Sequence, residues 1–319
     1  MQPVISTHIF LKQSLHPSRL DTLAAAGADA IEIFASTPHF DYSSRPTVRE
    51  FAQYFAGSRM KLHSLHAPMY REDGAHRELN NVVHRERGER IAAMDEIKRA
   101  IEVAEQIPFR FLILHLDERE QSWSEALLDH ALSAIEHLRA FARPLGVSLA
   151  LENLWNQVTE PQNLLQILDT GHFEDVGICF DSGHAHIVAA ARAREKSTSH
   201  AADNSVTVQR DAVQSEYLAM LELMAPRITT THLHDNDGTR DAHLWPADDS
   251  LFSETESRGL PWPETIRILA AAPQQPAWNL EIHYTLGEDE EQITSGAESA
   301  FSLFASADDE SANARNSGA

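Results

Sequence analysis

The chain has 319 residues, 42% of them hydrophobic, and a net charge of −22 from 26 basic and 48 acidic side chains. That apolar fraction supports a substantial core, no apolar stretch approaches the ~20 residues needed to span a bilayer, and the charge disfavours nucleic acid as a partner. The single cysteine, Cys179, excludes an intramolecular disulfide and suits a reducing compartment; without a basic start or apolar h-region at the N-terminus, a cytoplasmic location is expected.

Taken in chain order, strand and helix signals alternate. Val4–Phe10 reads as a strand, Pro17–Gly27 as a helix, Ala30–Phe34 as a strand and Thr47–Ala56 as a helix. The pattern continues with strands at Leu62–His66, Phe111–His115, Val147–Glu152, Val176–Asp181, Ile228–His234 and Trp278–Glu281. Between and after these lie helices at Arg87–Ile107, Ser122–Ala142, Pro161–Asp169, Glu216–Met224, Pro261–Ala272 and Glu288–Phe304. Eight alternations predict an α/β chain with a parallel sheet, a single-domain (β/α)8 TIM barrel over residues 1–304; such barrels typically take ~250 residues. An open doubly wound sheet is the alternative, but it calls for a phosphate-binding fingerprint, and no G-x-G-x-x-G or G-x-x-x-x-G-K-[ST] occurs. Residues 191–210 read as a polar insertion, and residues 305–319 as a disordered tail of low hydrophobicity.

Six of the apolar runs end on a residue able to hold a metal: His66, His115, Glu152, Asp181, His234 and Glu281. Side-chain parity points these ends at one place. Asp181 shares its face with Cys179 and Gly177, Glu152 with Ala150 and Ser148, and Glu281 with Asn279, while the bulky neighbours face away. A barrel with a narrow lumen and an outer wall packed on helices produces this division.

Glu152, Asp181, His232 and Glu281 form the strongest set. Carboxylates with an imidazole make a hard oxygen and nitrogen shell suited to a divalent metal such as Mn, Mg, Co or Zn. A lone charged residue at a strand end would be an ordinary rim residue; four at equivalent barrel ends mark the rim where barrel enzymes place their sites. His66, His115, His184, Asp241 and His243 are further metal or substrate candidates, His184 because Asp181-Ser-Gly-His184 lets both reach one centre, Asp241 and His243 because two residues apart they can face one side of a loop. His234, His283 and His186 are weaker candidates, and His63, out of phase with His66, reads as structural. Trp155, Arg240 and Trp245 are substrate-contact candidates, the tryptophans by stacking on a sugar face.

Together, His66-Ala-Pro, His115, Leu151-Glu152-Asn153, Phe180-Asp181-Ser-Gly-His184, Thr231-His232-Leu-His-Asp235-Asn-Asp237-Gly, Asp241-Ala-His243-Leu and Leu280-Glu281 resemble the xylose isomerase-like TIM barrel superfamily, which includes sugar phosphate isomerases and epimerases and endonuclease IV. The resemblance covers about residues 1 to 304. In its epimerase branch, Glu152, Asp181, His232 and Glu281 would hold one divalent metal, Glu152 and Glu281 would move the proton, and His184, the third catalytic candidate, would lie near the substrate. In its endonuclease IV branch those four and His66, His115, His184, Asp241 and His243 would hold three zinc ions, and Tyr42, Arg45, Tyr70 and Arg71 would be loop residues probing DNA, though they serve equally well as sugar contacts or plain surface. The chain departs from the superfamily after His243, where Pro246-Ala-Asp-Asp249 replaces a Pro-Gly-Glu-Gly-like turn facing the substrate.

The resemblance and the charge lead to a divalent-metal isomerase or epimerase of a sugar, sugar phosphate or hydroxy-ketone, working by carboxylate proton transfer through an enediolate. The runner-up is an endonuclease IV-like, zinc-dependent phosphodiester hydrolase acting at abasic sites. A barrel that binds a small ligand without turnover is the third reading, against which the intact carboxylates speak. The expected partner is a small sugar-like molecule; no membrane partner is expected, and assembly into a homo-oligomer is left open.

Overall fold

The computed structural model describes residues 1–73, 76–117, 122–198, 206–247, 260–283 and 290–317. Its strands are β1 (Pro3–Ser6), β2 (Ala30–Phe34), β3 (Lys61–His66), β4 (Tyr70–Asp73), β5 (His76–Leu79), β6 (Phe111–Leu114), β7 (Ser148–Glu152), β8 (Gly177–Asp181), β9 (Ile228–His232) and β10 (Trp278–Leu280). Eight of them form one parallel sheet in the order β10-β1-β2-β3-β6-β7-β8-β9. A parallel bridge between Leu233 and Leu280, with Leu233 N–H donating to the Asn279 carbonyl at 2.7 Å, brings the two outer strands together and closes the barrel. The fold is the expected (β/α)8 TIM barrel.

The helices are α1 (Pro17–Ala25), α2 (Arg45–Gly57), α3 (Arg87–Ile101), α4 (Glu125–Ala142), α5 (Pro161–Thr170), α6 (Ser182–Thr198), α7 (Val206–Met224), α8 (Trp262–Ala271) and α9 (Glu290–Ser317). Start signals operate as the sequence implies: the Ser44 hydroxyl caps α2 on the Thr47 N–H, the Ser124 hydroxyl caps α4 on the Leu127 N–H, and Pro17 and Pro161 open α1 and α5. Among the described residues no helix is long and apolar enough to cross a membrane.

Packing follows the parity argument. Leu149, Leu151, Ile178 and Phe180 belong to the outer core beneath the helices. Ala150, Cys179, Phe111 and Ile113 form a separate cluster inside the barrel. The lumen is thus not lined by small residues alone: Phe111 and Ile113 of β6 fill the space that Ala150 and Cys179 leave.

Four elements differ from the sequence expectation. The first strand stops at Ser6, whose hydroxyl accepts from the His8 N–H at 3.2 Å and turns Thr7–Phe10 into a 3-10 helix. Helix α6 was not anticipated; with α7 it occupies most of residues 191–210, of which residues 199–205 lie outside the described ones. The segment expected to be a disordered tail instead continues α9 to Ser317, and Ala307 is buried. An antiparallel hairpin, β4 with β5, rises from the loop after β3.

Candidate active site

The C-terminal ends of the barrel strands gather the charged residues. His66, Glu152, Asp181 and His232 are the last residues of β3, β7, β8 and β9, while His115 and Glu281 directly follow β6 and β10. Ladder register sets Asp181 opposite His232 and Glu152 opposite Cys179. Glu152, Asp181, His232 and Glu281 each offer one ligand atom, and these four atoms lie within 4.8 Å of one another. All four side chains are buried.

His232 is the pivot. Its Nε2 lies 3.1 and 3.2 Å from the two carboxylate oxygens of Glu32. Its Nδ1 faces Glu281 Oε2 at 3.1 Å, Glu152 Oε2 at 3.3 Å and Asp181 Oδ2 at 3.9 Å, yet makes no hydrogen bond. A buried nitrogen left without a hydrogen bond, surrounded by three carboxylates, is a donor set that could hold a divalent cation. Burial works against charge on His232, but Cys179 and the carboxylates of Glu281, Glu32 and Glu152 outweigh it and hold the imidazolium well above the usual histidine range.

The carboxylates divide by their surroundings. For Glu152, burial is outweighed by His232 and His115, which hold its carboxyl well below the usual range. Glu281 is pushed up to about 8 by burial, which His232 and His243 offset only in part and to which repulsion from Glu152 and Asp181 adds. Carboxylates crowded together in a buried site cannot all ionise, and Glu281 is the one that keeps its proton.

Two further groups flank the first. His66 Nε2 lies 3.2 Å from His115 Nε2 and 3.6 Å from Glu152 Oε2, and His115 Nε2 is 3.0 Å from the same oxygen. On the other side, His184, His234, Asp241 and His243 bring four ligand atoms together. Asp241 Oδ2 is 3.0 Å from His243 Nε2 and 3.4 Å from His184 Nε2, and these two rings hold its carboxyl well below the usual range against partial burial. His243 adopts a left-handed backbone, φ 46°, uncommon outside glycine, while its Nδ1 is bonded to the Glu281 carbonyl.

Local structure explains how Asp181-Ser-Gly-His184 brings its two end residues together. Asp181 caps α6: its Oδ1 accepts from the His184 N–H at 2.6 Å, while Oδ2 lies 3.0 Å from His234 Nε2. A Cβ on Gly183 would meet His234 Cε1 at 2.0 Å, so only glycine lets the first turn of α6 approach so closely. Asn153 clamps β7 to β8, accepting from the Asp181 N–H and donating to the Asp181 carbonyl.

Other expected residues scatter. Trp155 is 39% exposed and stands edge-on to His184, ring centroids 4.7 Å apart, so it borders the mouth. Trp245 instead packs against α9, where a Cβ on Gly296 would strike its ring at 2.5 Å. Arg240 is exposed on the loop after β9. Tyr42, Tyr70 and Arg71 line a separate cavity of about 300 Å³ with Arg77 and Arg99, and Arg45 borders another surface cleft. His63 is the extra residue of a β-bulge and reaches inward to Thr230 Oγ1 at 3.2 Å. His234 is buried against Asp181, His186 is buried, and the His283 N–H donates to the His243 carbonyl. Of Pro246–Asp249, the two aspartates lie outside the described residues. Sequence reasoning missed Glu32 and His8. Glu32 shows as one acid inside the apolar run AIEIF, a signal in itself because an unpaired carboxylate is rarely fully buried. His8, against His243 and Glu281, left no such signal.

A family model described as xylose isomerase-like TIM barrel matches residues 20–302. The chain belongs to this family. Within the family's fold it resembles a D-tagatose 3-epimerase-like protein at a TM-score of 0.70 and 19% identity, covering 97% of this chain and 99% of that one. It also resembles the IOLI protein with a binding zinc atom, at a TM-score of 0.64 and 16% identity over 97% and 99% of the two chains. In sequence it is 25% identical to an uncharacterized protein of Methanocaldococcus jannaschii over 248 residues, 75% of this chain and 72% of that protein.

Proposed function

We propose that the protein is a divalent-metal isomerase or epimerase of a small sugar or hydroxy-ketone. The observation that carries this reading is the convergence of Glu152, Asp181, His232 and Glu281 within 4.8 Å around a histidine nitrogen that has no hydrogen bond. The fold is shared with a D-tagatose 3-epimerase-like protein and an L-ribulose 3-epimerase, which supports a ketose as substrate. A divalent ion held by these four residues would polarise a carbonyl and its neighbouring hydroxyl, easing loss of the proton on the carbon between them. Glu152 and Glu281, at the ends of strands three places apart around the barrel, would remove that proton and return it. Such acid–base work contributes typically ~10²–10⁴-fold. Trp155, beside His184 at the mouth, offers an apolar face to a sugar ring.

Incubation with a panel of ketoses and ketose phosphates in D₂O tests this. Deuterium should appear on the carbon next to the carbonyl, and Glu281→Gln should abolish its appearance, since a carboxamide keeps the shape but cannot act as base. An active wild-type enzyme that exchanges no carbon-bound proton contradicts the reading.

A second reading, metal-assisted phosphodiester hydrolysis, is favoured by the two flanking ligand groups, which share Glu152 or adjoin Asp181. Clustered ions generate hydroxide and hold a leaving oxygen. The net charge of −22 weighs against a DNA substrate. Elemental analysis separates the readings: one ion per chain favours the isomerase, two or three with cleavage of abasic DNA favour the hydrolase.

A further inference from the structure

We propose that Glu32 is a positioning residue that fixes the His232 ring in the one tautomer able to accept a divalent ion; this rests on the metal reading of the site above. Glu32 lies in the middle of β2, opposite Ser64 of β3 and two residues short of the strand end, so it sits one layer beneath the ligand cluster. It is fully buried, and no lysine or arginine pairs with it among the described residues. Among the described residues its hydrogen-bond partners are the His232 Nε2, on both oxygens, and the Ser64 hydroxyl, which donates to Oε2 at 2.7 Å.

A buried carboxylate with so few partners is costly, and a barrel interior is more cheaply filled with an apolar side chain. What the acid supplies is direction. An ionised carboxylate only accepts, so the nitrogen facing it must carry the proton. With Nε2 protonated, the neutral His232 ring turns a lone pair from Nδ1 toward Glu152 and Glu281, themselves acceptors. Lone pair and carboxylates then repel one another unless a cation stands between them. A carboxamide at position 32 removes this constraint, because its NH₂ can donate to Nε2. His232 could then carry its proton on Nδ1, bond Glu281 directly and close the site without an ion. Ligand histidines in general depend on such a partner, at about 10–100-fold in metal affinity.

The test is Glu32→Gln. Manganese titration of the chelated, refolded protein should show affinity reduced by about 10–100-fold. Nitrogen-15 NMR of the metal-free protein, at a pH high enough to deprotonate the imidazolium, should show the proton moving from Nε2 to Nδ1. A folded Glu32→Gln variant with wild-type affinity and an unchanged tautomer overturns the proposal. Should that variant fail to fold, Ser64→Ala keeps the carboxylate but frees its Oε2, and a smaller loss of affinity in the same direction is expected; unchanged affinity overturns the proposal. If wild-type protein binds no divalent ion, the metal reading fails by itself, and the tautomer of the Glu32→Gln variant still decides the role of Glu32.

Discussion

Strand-borne and loop-borne residues of the candidate site are held by different physics. Glu152, Asp181 and His232 end β7, β8 and β9, and hydrogen-bond ladders fix their spacing before any side chain interacts. Asp241 and His243 lie on the loop after β9, with side chains 25% and 10% exposed. They are tied down by an antiparallel bridge, Asp235 to Leu244, and by the bonds of His243 to the Glu281 carbonyl and from the His283 N–H. The strand group is as rigid as the barrel itself, whereas the loop group belongs to the part of a fold that opens at lower cost. An ion at the strand group should therefore survive loss of the loop group, but not the reverse.

The largest expected effect breaks the strand group. Glu152→Gln together with Asp181→Asn removes two of four hard ligands and should abolish tight metal binding. Elemental analysis after dialysis checks this, and wild-type stoichiometry would contradict the assignment. The complementary change, Asp241→Asn with His243→Ala, should leave one ion per chain while removing any further equivalent. Parallel loss of every ion in both variants would show the two groups to be one inseparable unit.

The next effect is on stability. An ion that binds the folded barrel and not the unfolded chain stabilises by about 2.7 kcal/mol at one hundred times its Kd. Manganese should raise the melting temperature of the wild type and of the loop variant, and leave that of the strand variant unchanged. Identical wild-type melting with manganese and after chelation would remove the case for a metal.

The smallest effect is a pH dependence whose sign differs with loading. In the metal-free barrel the Glu281 carboxyl is raised from 4.5 to about 8, so between these values the folded state holds a proton that the unfolded chain has released. Stability should accordingly fall as pH rises through that window. His232 and His184, whose imidazolium forms are favoured in the fold, add a loss of the same sign from about 6.5 upward. Glu152, Asp181 and Asp241 are lowered and contribute the opposite slope, only at acid pH below their usual range. With metal bound, protons are competitors, so the stabilisation due to the ion should grow as pH rises. Melting curves of chelated and loaded protein across pH 5 to 9 check the two slopes; parallel curves would refute the linkage.

Much of the site could be read from sequence because β-strands alternate strictly. Cys179 beneath Asp181 and Ala150 beneath Glu152 follow from counting in twos, and the lumen cluster contains both. The same regularity hid α6, since Asp181-Ser-Gly-His184 was read only as a ligand motif. Its aspartate also caps a helix, a signal present in the residues themselves. The hairpin β4–β5, by contrast, is set by how the loop after β3 folds over the barrel rim.

The sequence alone determined the alternation of strand and helix, the barrel, and the placing of acids and imidazoles at strand ends, because these depend on periodicities a few residues long. Only the closed barrel decided which of those residues meet. Glu152 meets His66, His115 and His232 at the ends of three other strands, Glu32 finds His232 two hundred residues away, and Trp245 turns toward Gly296. Such pairings depend on strand order, register and the span of the ring, which bring distant positions within hydrogen-bond reach and which no local pattern encodes.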